Sequence, residues 1–387
     1  MKILKPWPPE KLLRMTLVTL LPGIYFLKLG VLCQSIFTNP TFWLFCFAYF
    51  LCISQILLTC KRIYVYSIDI LLFTFALYIF ICTLWSPCFL AGLRKATEFM
   101  FITLPIVYFV RFFVRDKTEI EEIIKVSLFI ATILVVYDLV SFVSSAKTIE
   151  RTTIGMVSLG LMGLYCAVHA YSSIYFFLKA KKRSSRVYYF SAFILLALAL
   201  VLTGARASIL GLALLLCWLF LRELIKGNNF RLMVLLFFLT GSVFIINRFI
   251  PVLDYTTYRL SLTGKPQDVA GQIRIGLYKR GISSICKTPL FGEGTGSNPL
   301  YAHNIFLEIG SENGAIGLIL LFAVIFLFLN IKRRIKNEGV YELVVGFFMI
   351  SFFVSLFSFS YYFQRYLFFS LGLVLVTYHL SNHLKEI

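Results

Sequence analysis

The chain has 387 residues, of which 59% are hydrophobic and only 14% are charged, and its mean hydropathy is +0.86. Soluble domains contain about 45–50% apolar and about 25% charged residues, so this composition excludes a cytosolic enzyme, a nucleic-acid-binding domain and a disordered chain. The formal net charge of +19 would indicate nucleic-acid binding in a soluble protein. In a chain this apolar, the excess charge has to be divided between the two sides of a membrane.

Apolar segments recur along the whole chain. Basic residues precede the first segment, which has no small-residue cleavage site, so we expect a retained span rather than a removed signal peptide. A span needs about 20 mostly apolar residues, and the sequence predicts about twelve of them. They are expected at residues 14–33, 41–59, 68–85, 96–113, 122–143, 153–178, 187–203, 206–224, 230–250, 313–331, 340–360 and 362–380.

Every second connection between these spans is basic. The basic connections lie at residues 61–62, 111–117, 179–186, 222–231 and 332–336. The positive-inside rule therefore predicts that they lie in the cytoplasm together with both termini. An even number of spans is consistent with both ends on one side.

One connection, residues 251–312, is long, and we expect it on the outer side. It divides the chain into spans one to nine at residues 1–250, the loop, and the last three spans with a cytoplasmic tail at residues 313–387. Loops of this length are usually functional or disordered. Residues 269–286 have the apolar spacing of an amphipathic helix with basic residues between, which favours a helix at the outer membrane surface.

Metal-binding and disulfide patterns are not found in the sequence. The nine cysteines form no CxxC pair and lie mostly in apolar runs, and the outer side contains few acidic residues and no DxD motif. We therefore expect neither a metal site nor a disulfide framework.

Arg206 lies in the segment Thr203 to Ser208, between two predicted spans. Because the connection is too short for a true loop, we expect Arg206 at the outer mouth of two apolar helices. An ionisable side chain at that depth is costly and suggests a functional site. The alternative is an interfacial arginine that anchors a helix end.

The long loop contains three further candidate segments. Arg274 and Tyr278 are four residues apart and share a helix face, although this basic helix is also typical of a surface on anionic lipid. The segment from Gly292 to Gly296 has glycine at alternate positions, which lets backbone approach a ligand and present N–H groups to an anion. His303, just before an apolar helix, is a candidate proton acceptor, and the alternative is a packed histidine.

The residues His303-Asn304, nine residues, Gly314, two residues and Gly317 form the pattern HN-x9-G-xx-G. With the glycine-rich turn, the basic loop helix and Arg206, this pattern resembles the O-antigen ligase and O-antigen polymerase superfamily, most closely the ligases of Gram-negative lipopolysaccharide assembly. The resemblance implies an all-α, GT-C-like membrane fold with one large periplasmic loop that contains short helices. It implies a metal-independent, inverting glycosyltransferase of the inner membrane that needs no cofactor and acts on the periplasmic side.

The resemblance also implies the substrates and the roles of residues. The donor is a glycan on undecaprenyl diphosphate, and the acceptor is a sugar hydroxyl of lipid A–core. Arg206 and Arg274 match the essential arginines of the family, which we expect to hold the diphosphate, and His303 matches the essential histidine, which takes the proton of the acceptor hydroxyl or orients it. The remaining candidates are substrate contacts at Tyr278, Lys279, Arg280 and Asn304 and a structural motif at Gly292, Gly294, Gly296, Gly314 and Gly317.

Three alternatives stay open at this point. An O-antigen polymerase uses the same kind of donor but a second lipid-linked repeat unit as acceptor. A polyprenyl-glycan transporter or flippase would be expected to have inverted repeats and charged residues at mid-membrane depth, which the sequence does not indicate. A scaffolding membrane protein would not need an arginine at the helix mouth.

Overall fold

The computed structural model describes residues 9–23, 40–59, 65–144, 159–227, 269–298, 301–334 and 339–383, with 233 and 236. In this part of the chain every regular element is a helix, which confirms the expected all-α class. The helices are α1 Pro9–Gly23, α2 Pro40–Thr59, α3 Ser67–Ile81, α4 Phe89–Glu98, α5 Pro105–Phe113, α6 Lys117–Ser144, α7 Leu159–Lys179, α8 Arg183–Thr203, α9 Arg206–Ile225, α10 Val269–Lys287, α11 Ile305–Arg334, α12 Gly339–Ser355 and α13 Arg365–His383.

Six helical segments among the described residues are long and apolar enough to cross a membrane, and the chain is a multi-pass membrane protein. Two of them combine shorter elements, because a 3-10 turn extends α3 to Trp85 and a π-helical turn joins α4 to α5. The count of twelve spans stays a prediction, because the predicted span 230–250, apart from residues 233 and 236, and the loop residues 251–268 lie outside the described residues. The six segments are Ser67–Trp85, Phe89–Phe113, Gly160–Lys179, Arg183–Thr203, Arg206–Ile225 and Ile305–Ile331.

Packed helices run in opposite directions in the pair α7 and α8, where Gly163 faces Thr203 and Phe176 contacts Tyr189, and in the pair α9 and α12. Gly211, near the start of α9, faces Phe353 near the end of α12. Arg222, near the end of α9, forms an ion pair with Glu342 at the start of α12. The two helices are therefore antiparallel.

This antiparallel packing gives the bundle two distinct ends. We call the end that contains residues 111–117, 179–186 and 222–226 the basic end. The opposite end contains the turns around residues 86, 205, 294, 303 and 356. Contacts between Gly294 and Ser86, and between Asn304 and Leu356, hold that end together.

Helix α7 lies at the centre of the bundle, and 83% of the residues in its most apolar stretch are buried. Its His169 is a satisfied core residue, since the ring nitrogens bond the Ser127 hydroxyl at 2.7 Å and the Tyr165 carbonyl at 2.8 Å. This histidine therefore contributes to helix packing and is separate from the candidate site.

Candidate functional site at the end opposite the basic connections

The start of α11 fixes the backbone around His303. The residue has φ 54°, in the left-handed region that non-glycine residues seldom occupy. Asn304 caps the helix, because its Oδ1 accepts hydrogen bonds from the N–H groups of Phe306 at 2.9 Å and Leu307 at 3.0 Å. The Nδ2 of Asn304 donates to the Leu356 carbonyl at 2.9 Å, which joins α11 to the end of α12.

This cap explains why α11 begins at Ile305, earlier than the expected start of the span at residue 313. Both polar ends of the Asn304 amide are occupied by backbone groups. Its expected role in substrate binding stays a prediction, whereas its contacts show a helix cap.

The imidazole of His303 is half-buried and packs against the ring of Tyr301, with 4.3 Å between the ring centroids. Its Nδ1 is buried and has no hydrogen-bond partner among the described residues. Burial, and secondly the positive charge of Arg274, lower the pKa of His303 to about 4. The ring is therefore neutral near pH 7 and can accept a proton.

Helix α10 lies along the first part of α11, so that its basic face leads to His303. Gly281 faces Leu307, and Ile285 contacts Gly310 further along α11, so the two helices run in the same direction. In a helix, Arg274 lies on the same face as Gly281 and Ile285. The contacts between the two helices run from Ile285 and Gly310 back to Gly281 and Leu307. Arg274, two turns before Gly281 on the same face, therefore lies toward His303 at the start of α11, and its charge acts on that residue.

Arg274 is exposed and forms no ion pair in the part of the chain that the structure describes. Its charge affects both Tyr301 and His303, since it opposes the rise in the pKa of Tyr301 that burial causes. Tyr278, one turn further along α10, is half-buried on the same face. Arg274, Tyr278 and His303 thus lie together around one corner of the bundle.

Lys279 and Arg280 are exposed on α10. Because successive residues are about 100° apart around a helix of 3.6 residues per turn, both lie off the face that contains Arg274. The structure does not bring these two cations into the corner formed by Arg274 and His303.

Arg206 is the first residue of α9 and follows Gly204, whose φ of 59° ends α8 in the left-handed conformation. Its position follows from the contact of Gly211 with Phe353. At about 1.5 Å per residue, Arg206 lies about 7.5 Å beyond Gly211, level with the end of α12. Leu356, to which Asn304 bonds, is at that level, so Arg206 and His303 share the same end of the bundle.

The glycine-rich turn contacts α11 and does not present free N–H groups to an anion. Helix α11 is interrupted at Gly314, which has φ 65° and ψ −162°. The carbonyls of Ser311 and Glu312, left open by this break, accept hydrogen bonds from the N–H groups of Glu293 and Gly294, both at 2.9 Å. The N–H of Thr295 donates to the Cys82 carbonyl at 3.2 Å.

The turn and the break in α11 therefore complete each other. Gly292, Gly294 and Gly296 have φ between 70° and 96°, and a Cβ on Gly292 would lie 2.4 Å from the Glu312 carbonyl carbon. These glycines thus lie in close contact with backbone of other segments, and the structural motif stays a prediction. Gly317 lies beyond the break in α11.

Sequence reasoning did not identify a buried ionic cluster beside this turn. Lys95 of α4 donates hydrogen bonds to Glu308 and to both carboxylate oxygens of Glu312, the latter at 2.8 Å. At most 8% of any of these three side chains is exposed. Two signals were available: the i, i+4 spacing of the glutamates on one helix face, and a lysine at the start of a predicted span.

Metal ligands are not grouped in the described residues, where no three His, Cys, Asp or Glu side chains are placed to hold a metal ion. The residues that match a known family model are 191–322, and this model describes the O-antigen ligase family. The matched segment runs from α8 to the middle of α11 and includes Arg206, Arg274 and His303. No curated protein matches the chain.

Proposed function

We infer that this protein, as a member of the O-antigen ligase family, is a ligase that transfers a glycan from undecaprenyl diphosphate to a sugar hydroxyl of lipid A–core. The observation that supports it best is the pairing of His303, whose Nδ1 is buried without a partner, with the exposed Arg274 beside it. A neutral base next to a cation that has no carboxylate partner among the described residues suits a reaction in which a hydroxyl loses a proton and a phosphate leaves.

In this proposal the acceptor oxygen attacks the anomeric carbon from the face opposite the diphosphate. The bond between the anomeric carbon and the diphosphate oxygen breaks, its electron pair leaves with the diphosphate, and the configuration is inverted. The proton of the acceptor hydroxyl moves to His303. Arg274 and Arg206 bind the diphosphate, because a guanidinium donates two parallel hydrogen bonds to phosphate oxygens and stabilises the growing charge.

The division of the bundle into two ends supports a periplasmic site. The basic connections that the structure describes, at residues 111–117, 179–186 and 222–226, lie at the end opposite His303, and the positive-inside rule assigns such connections to the cytoplasm. His303, Arg274 and Arg206 then face the periplasm of a Gram-negative inner membrane. A donor carried on a polyprenyl lipid reaches this face without a nucleotide-sugar site.

The remaining candidate residues have secondary roles. Tyr278 adds a hydrogen bond to the substrates from the same face of α10 as Arg274. Lys279 and Arg280, which lie off that face, bind the phosphates of the core or of anionic headgroups. Asn304 acts through the cap of α11, which fixes the backbone next to His303.

The proposal is tested with two acceptors offered to the purified full-length protein in lipid nanodiscs. A lipid-linked donor is supplied with lipid A–core in one reaction and with a second lipid-linked repeat in the other. Transfer to lipid A–core without metal supports the ligase, and elongation of the lipid-linked repeat identifies a polymerase. Movement of intact donor across the bilayer without transfer indicates a flippase.

His303→Ala tests the catalytic assignment in the same assay and in a ligase-null strain with a matching core. A positioned general base contributes about 10²–10⁴ in rate, so we expect loss of the lipopolysaccharide ladder at equal membrane levels. His169→Ala serves as a control for removal of a histidine, with the ladder retained in proportion to the amount of folded protein. A full ladder from His303→Ala would reject the histidine as the base.

A further inference from the structure

We propose that Lys95 is a positioning residue for His303: its ammonium group, held between Glu308 and Glu312, fixes the first turns of α11 in the place that aims the histidine. The proposal deepens the proposed function and rests on it. The contacts that support it join three segments that are far apart in the chain.

The first step is the fit of the ammonium group between two carboxylates. Glu308 and Glu312 are four residues apart on α11, so they lie on one face of the helix. Lys95 reaches both from α4, and the three side chains are almost fully buried. Because an unpaired charge is costly in such surroundings, α11 is held in the register and orientation that keep both carboxylates on the ammonium group.

The second step joins this cluster to a third segment. The Ser360 hydroxyl donates to Glu308 Oε1, and the Tyr361 N–H donates to Glu308 Oε2 at 3.2 Å. Glu308 therefore connects α4 and the turn before α13 to the start of α11. Its carboxylate accepts from an ammonium, a hydroxyl and a backbone amide at once.

The third step leads from Glu308 to the histidine. The N–H of Glu308 donates to the carbonyl of Asn304 at 2.9 Å, and Asn304 is bonded through its peptide to His303. A shift of Glu308 therefore moves the cap and the strained backbone of His303. The loss of Lys95 is expected to loosen the packing that keeps the imidazole beside Tyr301 and away from water.

The experiment compares Lys95→Met with Lys179→Met. Lys179 pairs with Glu121 at 2.8 Å at the basic end, and 43% of its side chain is exposed. Both variants exchange a lysine for methionine, but only Lys95→Met disturbs the segment that contains His303. Glu312→Gln is the second variant, because it leaves one carboxylate for one ammonium and is expected to fold even if Lys95→Met does not.

Transfer kinetics provide the first measurement. We expect Lys95→Met to lower kcat about 100-fold with little change in KM for the donor, since a mispositioned base affects the transition state more than binding. Glu312→Gln is expected to lower kcat about 10-fold for the same reason. Lys179→Met is expected to keep the wild-type rate.

The second measurement does not depend on activity. The rate at which diethyl pyrocarbonate modifies His303, followed by mass spectrometry against pH, reports the protonation and the exposure of the ring. We expect a wild-type midpoint near pH 4. In Lys95→Met and Glu312→Gln the midpoint rises toward the ordinary histidine value of about 6.5, because the ring becomes hydrated.

The two measurements separate the two proposals. If the wild type transfers no glycan but the midpoint of His303 rises in Lys95→Met, positioning by Lys95 is supported and the proposed function is contradicted. An active wild type with an unchanged midpoint and kcat in folded Lys95→Met overturns the positioning role. If Lys95→Met fails to fold, wild-type values for Glu312→Gln overturn it equally.

Discussion

The two ends of the bundle differ in how their exposed cations are paired. At the basic end Arg115 pairs with Glu10, and the two side chains are 52% and 60% exposed, whereas the pair of Arg14 with Glu119 at the same end is buried. At the opposite end the two carboxylates Glu308 and Glu312 are buried on one lysine. These two acidic groups are thus withdrawn from the surface, while Arg274 stays exposed without a carboxylate partner among the residues that the structure describes.

This difference shows how the same residue types give an inert surface in one place and a reactive one in another. An exposed ion pair contributes about 0–1 kcal/mol and neutralises the cation. A cation without a protein partner keeps its full charge for a ligand. Burial of Glu308 and Glu312 against Lys95, away from the surface, therefore leaves a positive corner for an anionic substrate group.

Replacement of the unpaired arginine should have the largest effect. Arg274→Ala removes a cation that stabilises the leaving diphosphate, which is worth about 10²–10³ in kcat. Arg274→Lys and Arg206→Lys should recover only part of the rate, because an ammonium lacks the bidentate geometry. Initial rates with purified lipid-linked donor measure this.

Arg115→Lys at the basic end is the matched control, with a rate within about twofold of wild type, since its exposed pair contributes little. Wild-type turnover by Arg274→Lys or Arg206→Lys would remove the bidentate role from that arginine. A loss of similar size in Arg115→Lys would indicate that the two ends do not differ in the way described.

Two glycines sharpen the comparison in terms of stability. Gly314 and Gly227 have similar φ values of 65° and 68°, but a Cβ on Gly314 would lie 2.3 Å from the Leu290 carbonyl oxygen, whereas a Cβ on Gly227 would have no atom of the described residues within 4 Å. Gly227→Ala should cost about 1 kcal/mol from backbone strain alone. Gly314→Ala should cost about 3 kcal/mol or more, because backbone must also move.

Thermal unfolding in detergent, followed by size-exclusion fluorescence, measures both variants. Gly314→Ala is expected to unfold at a clearly lower temperature and to accumulate to a lower level in membranes. Equal unfolding temperatures for the two variants would contradict the conclusion that the break in α11 at Gly314 is needed for close packing of the glycine-rich turn.

The pH dependence should show the smallest effect. His303 is active when neutral, so the rate should fall as the pH decreases through its pKa, which burial and Arg274 lower to about 4. A bound diphosphate offsets the charge of Arg274 and raises this pKa. The acid limb of kcat should therefore lie at a higher pH than the acid limb of kcat/KM, since kcat reports the pKa of His303 in the substrate complex and kcat/KM reports its pKa in the free enzyme.

Arg274→Gln removes the positive charge beside His303 even when no diphosphate is bound. The acid limb of kcat/KM in this variant should therefore move to higher pH, toward the acid limb of kcat. Rates between pH 3.5 and 7 in nanodiscs measure both limbs. Coincident limbs in the wild type, or an acid limb of kcat below that of kcat/KM, would refute coupling between Arg274 and His303.

Much of the architecture was predictable from local patterns. Apolar run length predicted helices that the structure contains at residues such as 183–203 and 206–225, because a chain inside a bilayer has to satisfy its backbone hydrogen bonds within each segment. The motif around His303 identified the residues to examine. The helix boundary was placed late because the polar residues Glu308, Glu312 and Asn313 interrupt the apolar pattern, and only the fold shows that these side chains are buried.

The sequence by itself determined the all-helical class, the membrane setting, and the positions of Arg206, Arg274 and His303 in the chain, since these depend on composition, spacing and motif. The tertiary structure alone decided which polar groups are occupied. Lys95 and Glu308 are 213 residues apart, and only packing brings them together. For the same reason only the fold shows that the N–H groups of the glycine-rich turn bond to protein, while His303 Nδ1 remains without a partner among the described residues.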